Sequence, residues 1–412
     1  MKNQYPFYSS PVFELAGEIK FFEADFQVTE IPLYEPSGEG DHVYFLIEKR
    51  RMTTNSAIVK IAQALNMHPR DVGVAGLKDS RAVTRQMLSI EHVSPSRVES
   101  LDIPGIRILK VDRHRNKLKM GHLAGNRFSI RLRNAASVDI EQVQKLLDWL
   151  QKNGVPNYFG EQRFGIKGDT WEVGRALVKS DYKEALSIIL GRPAPELEGD
   201  ALVRARQLFD AGDPMAAADA WPSGFGDNAR LCRIFATSEG HYKKTILSAG
   251  KKMLTFYVSA YQSWLFNQVL SRRLKSGTMQ TMLIGDIAWK HDKGVCFQVT
   301  DSSVDSLRAQ EGQISPTGPL FGKKMKWPSG VSGDFEKELL DKEGITADLF
   351  SKPGPFKSPG GRRPLRIFPS QCTVERSADE HGDYYQFDFC LPAGAYATVL
   401  LRELTRTTFD FE

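Results

Sequence analysis

The chain has 412 residues, of which 41% are hydrophobic, and a formal net charge of +5. This length allows a sizeable core and favours two domains, or one domain with a large insertion. The modest charge does not by its sum indicate a nucleic-acid partner, so its distribution along the chain matters more. The sequence has no apolar run long enough to span a membrane and no basic and apolar N-terminal leader. Neither a spanning helix nor a signal peptide is therefore expected, and we expect a cytoplasmic protein.

The first predicted elements are short strands followed by a helix. From alternation and helical spacing they are strands at residues 19–22, 26–31 and 43–47 and a helix at residues 54–66. Thr53 or Thr54 can cap the start of this helix. The helix leads into the segment that contains Asp79.

Asp79 is a single carboxylate among cations, after a short apolar stretch and a glycine. Taken alone, an Asp after Gly-Leu-Lys is usually a turn residue or a helix N-cap that accepts backbone N–H groups. A nucleophilic role at neutral pH requires a nearby cation, because burial alone would raise the carboxyl pKa and neutralise the group. Lys78, Arg81 and Arg85 are the local candidates, and the two arginines share one face if the segment is helical.

A basic segment follows at residues 107–133, where nine Lys or Arg residues occur against one acid, Asp112. Its last part alternates apolar and polar residues, as in a strand with one apolar and one cationic face. The apolar residues are Phe128, Ile130 and Leu132, and the polar residues are Arg127, Ser129, Arg131 and Arg133. Such a face suits RNA phosphates, and the alternative is a solvated surface strand, since most charge runs merely face water. We expect the three arginines to contact the RNA backbone.

Four further helices are predicted after the basic segment. Helices are predicted at residues 140–150, 171–190, 202–220 and 257–274. Gly154 can end the first of these, which indicates a domain boundary nearby. The Pro- and Gly-rich stretches at residues 191–200 and 353–364 are expected to be loops.

The cysteines and histidines form no recognisable metal motif. The cysteines lie far apart, without a C-x-x-C pair, and are interpreted as reduced core residues: Cys232, Cys296, Cys372 and Cys390. The sequence has neither an H-E-x-x-H motif nor a G-x-x-x-x-G-K-[ST] phosphate loop. We therefore expect no metal and no cofactor.

Several motifs resemble, in the same order, those of the TruD family of tRNA pseudouridine synthases. They are Gly-Leu-Lys-Asp at residues 76–79, Asn-Tyr-Phe-Gly-Glu-Gln-Arg-Phe-Gly at 157–165, a run at 259–267 and Leu-Pro-Ala-Gly-Ala-Tyr at 391–396. The run at 259–267 carries many apolar and aromatic residues and is interpreted as packing rather than chemistry. The resemblance covers nearly the whole chain.

The resemblance implies an α+β fold. Its core would be the pseudouridine synthase domain, a mixed, mostly antiparallel sheet flanked by helices, with an inserted α+β TruD domain across an RNA-binding cleft. The catalytic domain would comprise residues 1–154 and 362–412, and the inserted domain residues 155–361. The stretch between Gly165 and Ser259 looks longer than in compact bacterial members, which leaves the substrate range open.

The resemblance also implies an isomerase that converts uridine 13 of tRNA to pseudouridine without a cofactor. Asp79 would be the catalytic nucleophile, attacking either the ribose or the pyrimidine ring, and Lys20 matches the cation that pairs with it. The residues that match the substrate pocket are Phe26, Asn126, Phe128 and Tyr396. Family members often carry Phe at position 396, and the Tyr hydroxyl needs a partner or water. Without the resemblance, the aromatic residues would be interpreted as core and Lys20 as a solvated surface charge.

Two other functions are compatible with parts of the sequence. A non-catalytic RNA-binding or RNA-chaperone protein would keep the basic surface without turnover, but the presence of Asp79 and the aromatic residues argues against it. An RNA methyltransferase would need a glycine-rich cofactor loop between a strand and a helix, and none is evident. The expected partner is tRNA.

Overall fold

The computed structural model describes residues 5–11, 13–350 and 358–407. These residues form two compact units. The sheet unit comprises residues 8–11, 13–155 and 367–407, and the helical unit comprises residues 5–7, 156–350 and 358–366. In sequence, the helical unit therefore interrupts the sheet unit.

The elements are named in chain order. The strands are β1 (Phe26–Pro32), β2 (His42–Lys49), β3 (Gly73–Val74), β4 (Val83–Glu91), β5 (Ile106–His114), β6 (Leu123–Arg133), β7 (Val155–Pro156), β8 (Ile287–Lys290), β9 (Val295–Gln298), β10 (Ile314–Leu320), β11 (Gly361–Pro364), β12 (Arg366–Ile367), β13 (Ser370–Asp379) and β14 (Gly382–Pro392). The helices are α1 (Thr54–Ala64), α2 (Pro95–Glu99), α3 (Ile140–Asn153), α4 (Thr170–Val178), α5 (Tyr182–Leu190), α6 (Asp200–Asp210), α7 (Pro214–Ala220), α8 (Gly226–Thr237), α9 (Tyr242–Ser248), α10 (Lys251–Lys275), α11 (Ser302–Gln310), α12 (Gly330–Lys342) and α13 (Ala397–Thr405).

The sheet unit is built on one mixed sheet with the strand order β13-β14-β6-β1-β4-β2-β5, and β3 pairs with β4. β1 and β4 run parallel, whereas the other neighbouring strands run antiparallel. The expected α+β class, with a mixed, mostly antiparallel sheet flanked by helices, is confirmed. β1 and its neighbours carry most of the residues that the sequence singled out.

α1 packs against the sheet as its apolar spacing predicts. Ala57 and Ile61 of the helix share a core cluster with Val43 and Phe45 of β2. Burial of the larger side chains among them contributes roughly 1.5–3 kcal/mol each. The helix begins where the N-cap was expected, because the Thr53 side chain accepts the Ser56 N–H at 3.1 Å. This fixes the start of α1 next to the strands.

α10 is the longest helix of the described residues and forms part of the core of the helical unit. Its buried Asn267 bonds both backbone groups of Phe159, accepting the N–H at 2.9 Å and donating to the carbonyl at 3.0 Å. Tyr261 and Leu265 of the run at residues 259–267 belong to this core, and the absence of a chemical role for the run stays a prediction. β8–β11 form a separate sheet in the order β11-β10-β8-β9.

Two extended or loop predictions differ from the structure. Residues 19–22 form no strand, because Lys20 adopts a φ of 60° and a 3₁₀ turn, Glu23–Asp25, follows. A left-handed residue interrupts the extended backbone that a strand requires. Of the predicted loop near the C-terminus, residues 353–357 lie outside the described part of the chain, and Gly361–Pro364 forms β11.

The predicted helix at residues 171–190 is two helices, α4 and α5. Ser180 between them has a φ of 61°, and the side chain of Asp181 caps the second helix by accepting the Glu184 N–H at 3.0 Å. The cap signal of Asp181 outweighs the continuous apolar pattern. The predicted helix at residues 202–220 divides in the same way into α6 and α7.

The cysteines are unpaired thiols in the structure. Cys232, Cys372 and Cys390 are buried and Cys296 is half-buried, which agrees with their interpretation as reduced core residues. Among the helices of the described residues, none combines the length and the apolar character that a membrane crossing requires.

Candidate active site

Asp79 lies in the loop between β3 and β4, within the sheet unit. Its carboxylate pairs with the ammonium of Lys20 and accepts the Arg81 N–H at 3.3 Å. The Asp79 side chain is 32% exposed and that of Lys20 is 11% exposed. The segment is not helical, so the two local arginines share no helical face, and Arg85 pairs with Glu48 of β2 at 2.9 Å. A partly exposed carboxylate therefore contacts a mostly buried cation.

The pKa of the Asp79 carboxyl lies below its ordinary value. Burial raises this pKa, but the charge and hydrogen bond of Lys20, with the N–H groups of Arg81 and Ser80, outweigh the effect of burial. The pKa of Lys20 is lowered by burial, which Asp79 opposes and Arg81 reinforces. Asp79 is thus ionised at neutral pH while part of its side chain faces solvent, as a carboxylate nucleophile requires.

Lys20 reaches Asp79 from a strained backbone position. Its φ of 60° is uncommon for a residue with a side chain, and its Nζ lies 4.5 Å from the centre of the Phe26 ring. The turn between them is held by the Phe22 N–H, which donates to the Asp25 carboxylate at 2.8 Å. Such strain persists when the surroundings fix it, and it is commoner at functional sites than elsewhere.

Lys78, the neighbour of Asp79, has a different partner. Its Nζ lies 2.7 Å from the Glu30 carboxylate of β1, and both side chains are almost fully buried. Of the local candidates for the counter-ion of Asp79, Lys78 is therefore engaged elsewhere. The ion pair with Lys20 is the one that the family resemblance implied.

Buried polar side chains hold the backbone of the loop. The Lys78 N–H donates to the Thr54 hydroxyl at 2.9 Å, and that hydroxyl donates to Gln86 at 2.9 Å. The Gln86 amide in turn donates to the Gly76 carbonyl at 3.3 Å. The loop is thereby tied to the first residue of α1 and to β4.

The candidate aromatic residues lie in the centre of the sheet. The ring of Phe128 lies edge-to-face with Phe26, with 6.2 Å between centres, and stacks on Phe389 at 5.4 Å. Both Phe26 and Phe128 are buried. They form a buried aromatic cluster in which Phe26 lies next to Lys20, so their packing role is present whatever else they do.

Asn126 and Tyr396 come from β6 and from the end of the chain. Asn126 stands opposite Glu30 of β1 and opposite Leu391 of β14. Its side-chain oxygen is buried and accepts no hydrogen bond from the described residues, which is costly unless a ligand supplies a donor. Tyr396 is half-buried at the N-terminal end of α13.

The alternation predicted for β6 is present, but its arginines are not equally accessible. Arg133 is 3% exposed, and its guanidinium donates to Asp25 at 2.9 Å and to Asp379 at 2.6 Å. Arg131 also pairs with Asp379, at 3.0 Å, whereas Arg127 is exposed. The structure does not support the expected contact of Arg133 with the RNA backbone, because two carboxylates enclose its guanidinium.

Sequence reasoning missed several residues around Asp79. They are Glu30, Lys49, Thr54 and Gln86. Lys49 is fully buried, and its Nζ donates to the Asp79 carbonyl at 2.8 Å. A signal existed for Glu30, since it follows Phe26 and Val28 at the two-residue period of a buried strand face. Within the described residues, no cluster of His, Cys, Asp or Glu could hold a metal ion.

Comparisons with known proteins agree over nearly the whole chain. The family model described as tRNA pseudouridine synthase D (TruD) matches residues 4–404. A tRNA pseudouridine synthase D of Geobacter metallireducens is 42% identical over 390 residues, which are 95% of this chain and 95% of the relative. One of Geotalea daltonii is 39% identical over 403 residues, 98% of this chain and 100% of the relative. A crystal structure from Methanosarcina mazei, also described as TruD, matches with a TM-score of 0.78 and 28% identity, covering 98% of this chain and 96% of that one.

Proposed function

Since this chain belongs to the tRNA pseudouridine synthase D (TruD) family, we propose that it isomerises uridine 13 of tRNA to pseudouridine with Asp79 as the nucleophile. In this proposal, residues 1–154 and 362–412 form the catalytic domain and residues 155–361 the inserted TruD domain. A tRNA substrate would place the protein in the cytoplasm.

The observation that carries the proposal is the ion pair of Asp79 and Lys20. The carboxylate is kept ionised by a mostly buried ammonium, yet it retains an exposed face. A structural carboxylate would be expected to be enclosed by the protein, as Asp25 is, whose side chain is 1% exposed beside Arg133. The open side of Asp79 is where a substrate atom can approach.

The reaction exchanges bonds within one nucleotide. The bond between ribose C1′ and uracil N1 breaks, the base turns, and C5 bonds to C1′ in its place. N1 gains a proton and C5 releases its own, so the composition of the nucleotide is unchanged and no oxidant or reductant is consumed. The Asp79 carboxylate would form a transient bond to C1′, which breaks as C5 bonds to C1′, or to the pyrimidine ring, which breaks before the product leaves.

The target base must leave its stack to reach Asp79, as in other enzymes that act on a base. Phe26, Phe128 and Tyr396 would contact the extruded uracil, for which aromatic planes are suited. The buried Asn126 oxygen, which lacks a donor among the described residues, would accept the uracil N3–H. Lys20 would keep the carboxylate ionised in the complex.

The RNA backbone would contact the cationic face of β6. Arg127 is exposed and Arg131 retains partial exposure beside Asp379. Both can approach phosphates, whereas Arg133 supports the strand from inside. Phosphate contacts of this kind set affinity and position rather than sequence preference.

Tritium release tests the proposal. A tRNA transcript labelled at C5 of uridine loses that hydrogen to water only when C5 is substituted. We expect release with the wild-type protein and none with Asp79→Asn, which preserves shape but removes the charged nucleophile, while the tRNA Kd stays within about threefold. Release by Asp79→Asn near the wild-type rate would contradict the role of Asp79. Salt-sensitive binding without release by the wild type would instead favour the non-catalytic RNA-binding function.

A further inference from the structure

Lys49 is a buried cation in direct contact with the backbone of Asp79. It is the last residue of β2, and its side chain is fully buried. Its Nζ donates to the carbonyl oxygens of Asp79 at 2.8 Å and of Met52 at 2.7 Å. Because a buried ammonium is costly without such partners, its position is strongly determined. Both carbonyls lie outside regular elements, so Lys49 joins the loop of Asp79 to the segment before α1.

Two contacts fix the backbone on either side of the Asp79 side chain. On the N-terminal side, the Lys78 N–H donates to the hydroxyl of Thr54 at 2.9 Å. On the C-terminal side, the Asp79 carbonyl accepts from Lys49. Both contacts attach the loop to the start of α1, because Thr54 is the first residue of this helix and Met52 lies just before it. The carboxylate is then directed by its own torsions and by Lys20.

We propose that Lys49 is a positioning residue for the nucleophile: it holds the Asp79 peptide from inside the core and does not touch RNA. This inference rests on the proposed function, in which Asp79 attacks the target nucleotide. A displacement of about 1 Å at such a group can lower a rate about 100-fold. Loss of Lys49 should therefore lower turnover and leave tRNA binding almost unchanged.

The charges around Lys49 make its action depend on pH. Burial lowers the pKa of Lys49 to about 8, an effect that Asp79 opposes and Lys78 reinforces. The residues opposite Lys49 on the neighbouring strands, Thr84 and Ile106, are uncharged. Other charged groups of the neighbouring elements are already paired: Lys20 with Asp79, Glu30 with Lys78, and Glu48 with Arg50 and Arg85. Above pH 8 the ammonium loses its charge and becomes a weaker donor, so turnover should fall.

The test compares Lys49→Met with Lys60→Met, a control that removes an exposed lysine on α1. Single-turnover tritium release should fall about 100-fold in Lys49→Met, with a tRNA Kd within threefold of wild type, and should be unchanged in Lys60→Met. Wild-type turnover by Lys49→Met, or an equal loss of rate and binding, would overturn the inference. Thermal melts establish that each variant is folded at the assay temperature.

The pH profile gives a second readout that a purely structural role would not move. The wild-type rate should fall as pH rises through 8, and this decline should persist in Lys20→Arg, whose charge does not titrate there. Lys49→Arg should flatten it, because the guanidinium stays protonated. A wild-type profile without this decline would overturn the inference, and so would loss of the decline in Lys20→Arg. Both results would hold even if Lys49→Met failed to fold.

Asp79→Asn, measured in parallel, separates this inference from the proposed function. Suppose that the wild type is active, that Asp79→Asn is inactive and that Lys49→Met matches the wild type. Then only the inference about Lys49 fails, and the proposed function stands. If the wild type releases no tritium, or Asp79→Asn releases it normally, the proposed function fails and the inference fails with it.

Discussion

Two carboxylates of the sheet unit, Asp79 and Asp25, are both paired with cations, but they differ in how completely they are enclosed. Asp25 accepts two hydrogen bonds from the guanidinium of Arg133 and one from the Phe22 N–H, and its side chain is almost fully buried. Asp79 accepts from the ammonium of Lys20 and from the N–H groups of Arg81 and Ser80, and it retains about a third of its exposure. The two carboxylates therefore differ in exposure rather than in the presence of donors, and the proposed role of Asp79 as nucleophile requires the exposed face.

Breaking the enclosed pair should have the largest effect on stability. Arg133→Met would leave Asp25 buried without a counter-ion, and we expect the free energy of unfolding to fall by about 3–5 kcal/mol. Arg131→Met, on the same strand but partly exposed, is the matched control and should change it by less than about 1 kcal/mol. Urea unfolding measures both. Equal effects of the two variants would show that enclosure does not distinguish them.

Breaking the pair of Asp79 and Lys20 should instead affect turnover. In Lys20→Met the burial of Asp79 remains while its cation is lost, so the carboxyl pKa should rise. We expect the single-turnover rate at pH 6 to fall about 100-fold, or about 2.7 kcal/mol, and to recover in part toward pH 8. The wild-type rate should change little between pH 5 and 7. A variant with the wild-type rate and profile would show that Asp79 needs no counter-ion.

Acid should weaken the cluster of Arg133, Asp25 and Asp379 within a defined pH range. The hydrogen bond from Arg133 lowers the pKa of Asp379 below its ordinary value. Because the folded-state pKa lies below the unfolded one, its stabilising contribution is present above about pH 4 and is lost as pH falls toward the folded value. Asp379→Asn should therefore lose less stability between pH 4 and 2 than wild type does. The exposed Asp383, changed to Asn, is the control, and identical acid profiles of Asp379→Asn and wild type would contradict the prediction.

The smallest expected effect concerns the exposed arginine of the same strand. Arg127→Ala should reduce the slope of log Kd for tRNA against log salt by about 0.7–0.9 unit, as for the loss of one phosphate contact. Filter binding between 50 and 200 mM salt measures the slope, with Lys60→Ala as control. An unchanged slope in Arg127→Ala would remove Arg127 from the RNA surface.

Local patterns predicted the elements whose signals lie within a few residues. The N-cap at Thr53 and the apolar spacing after it were sufficient for α1, and alternation was sufficient for β6. The sequence did not predict the left-handed Lys20, because nothing in its neighbourhood requires that conformation. A single apolar pattern concealed the break at Ser180, where the following Asp cap is decisive.

The candidate site residues Asp79 and Lys20 could be named from the sequence, but the residues that hold the loop around Asp79 could not. Asp79 and Lys20 came from motifs, whereas the contacts of Lys49 and Thr54 with the loop depend on strands and helices far apart in sequence. Charge spacing alone gave Lys78 as one candidate partner of Asp79. It could not show that Lys78 instead forms an ion pair with Glu30 of β1. Long-range pairing of this kind is set by the sheet order, which no local pattern reveals.

The proposed function is tested most directly by mapping pseudouridine in tRNA after incubation with the wild type and with Asp79→Asn. Carbodiimide modification followed by reverse transcription reports the position of each pseudouridine. We expect a stop that marks position 13 with the wild type and none with Asp79→Asn. Pseudouridine at position 13 from both proteins would contradict the role of Asp79, and pseudouridine only at other positions would contradict the proposed substrate site.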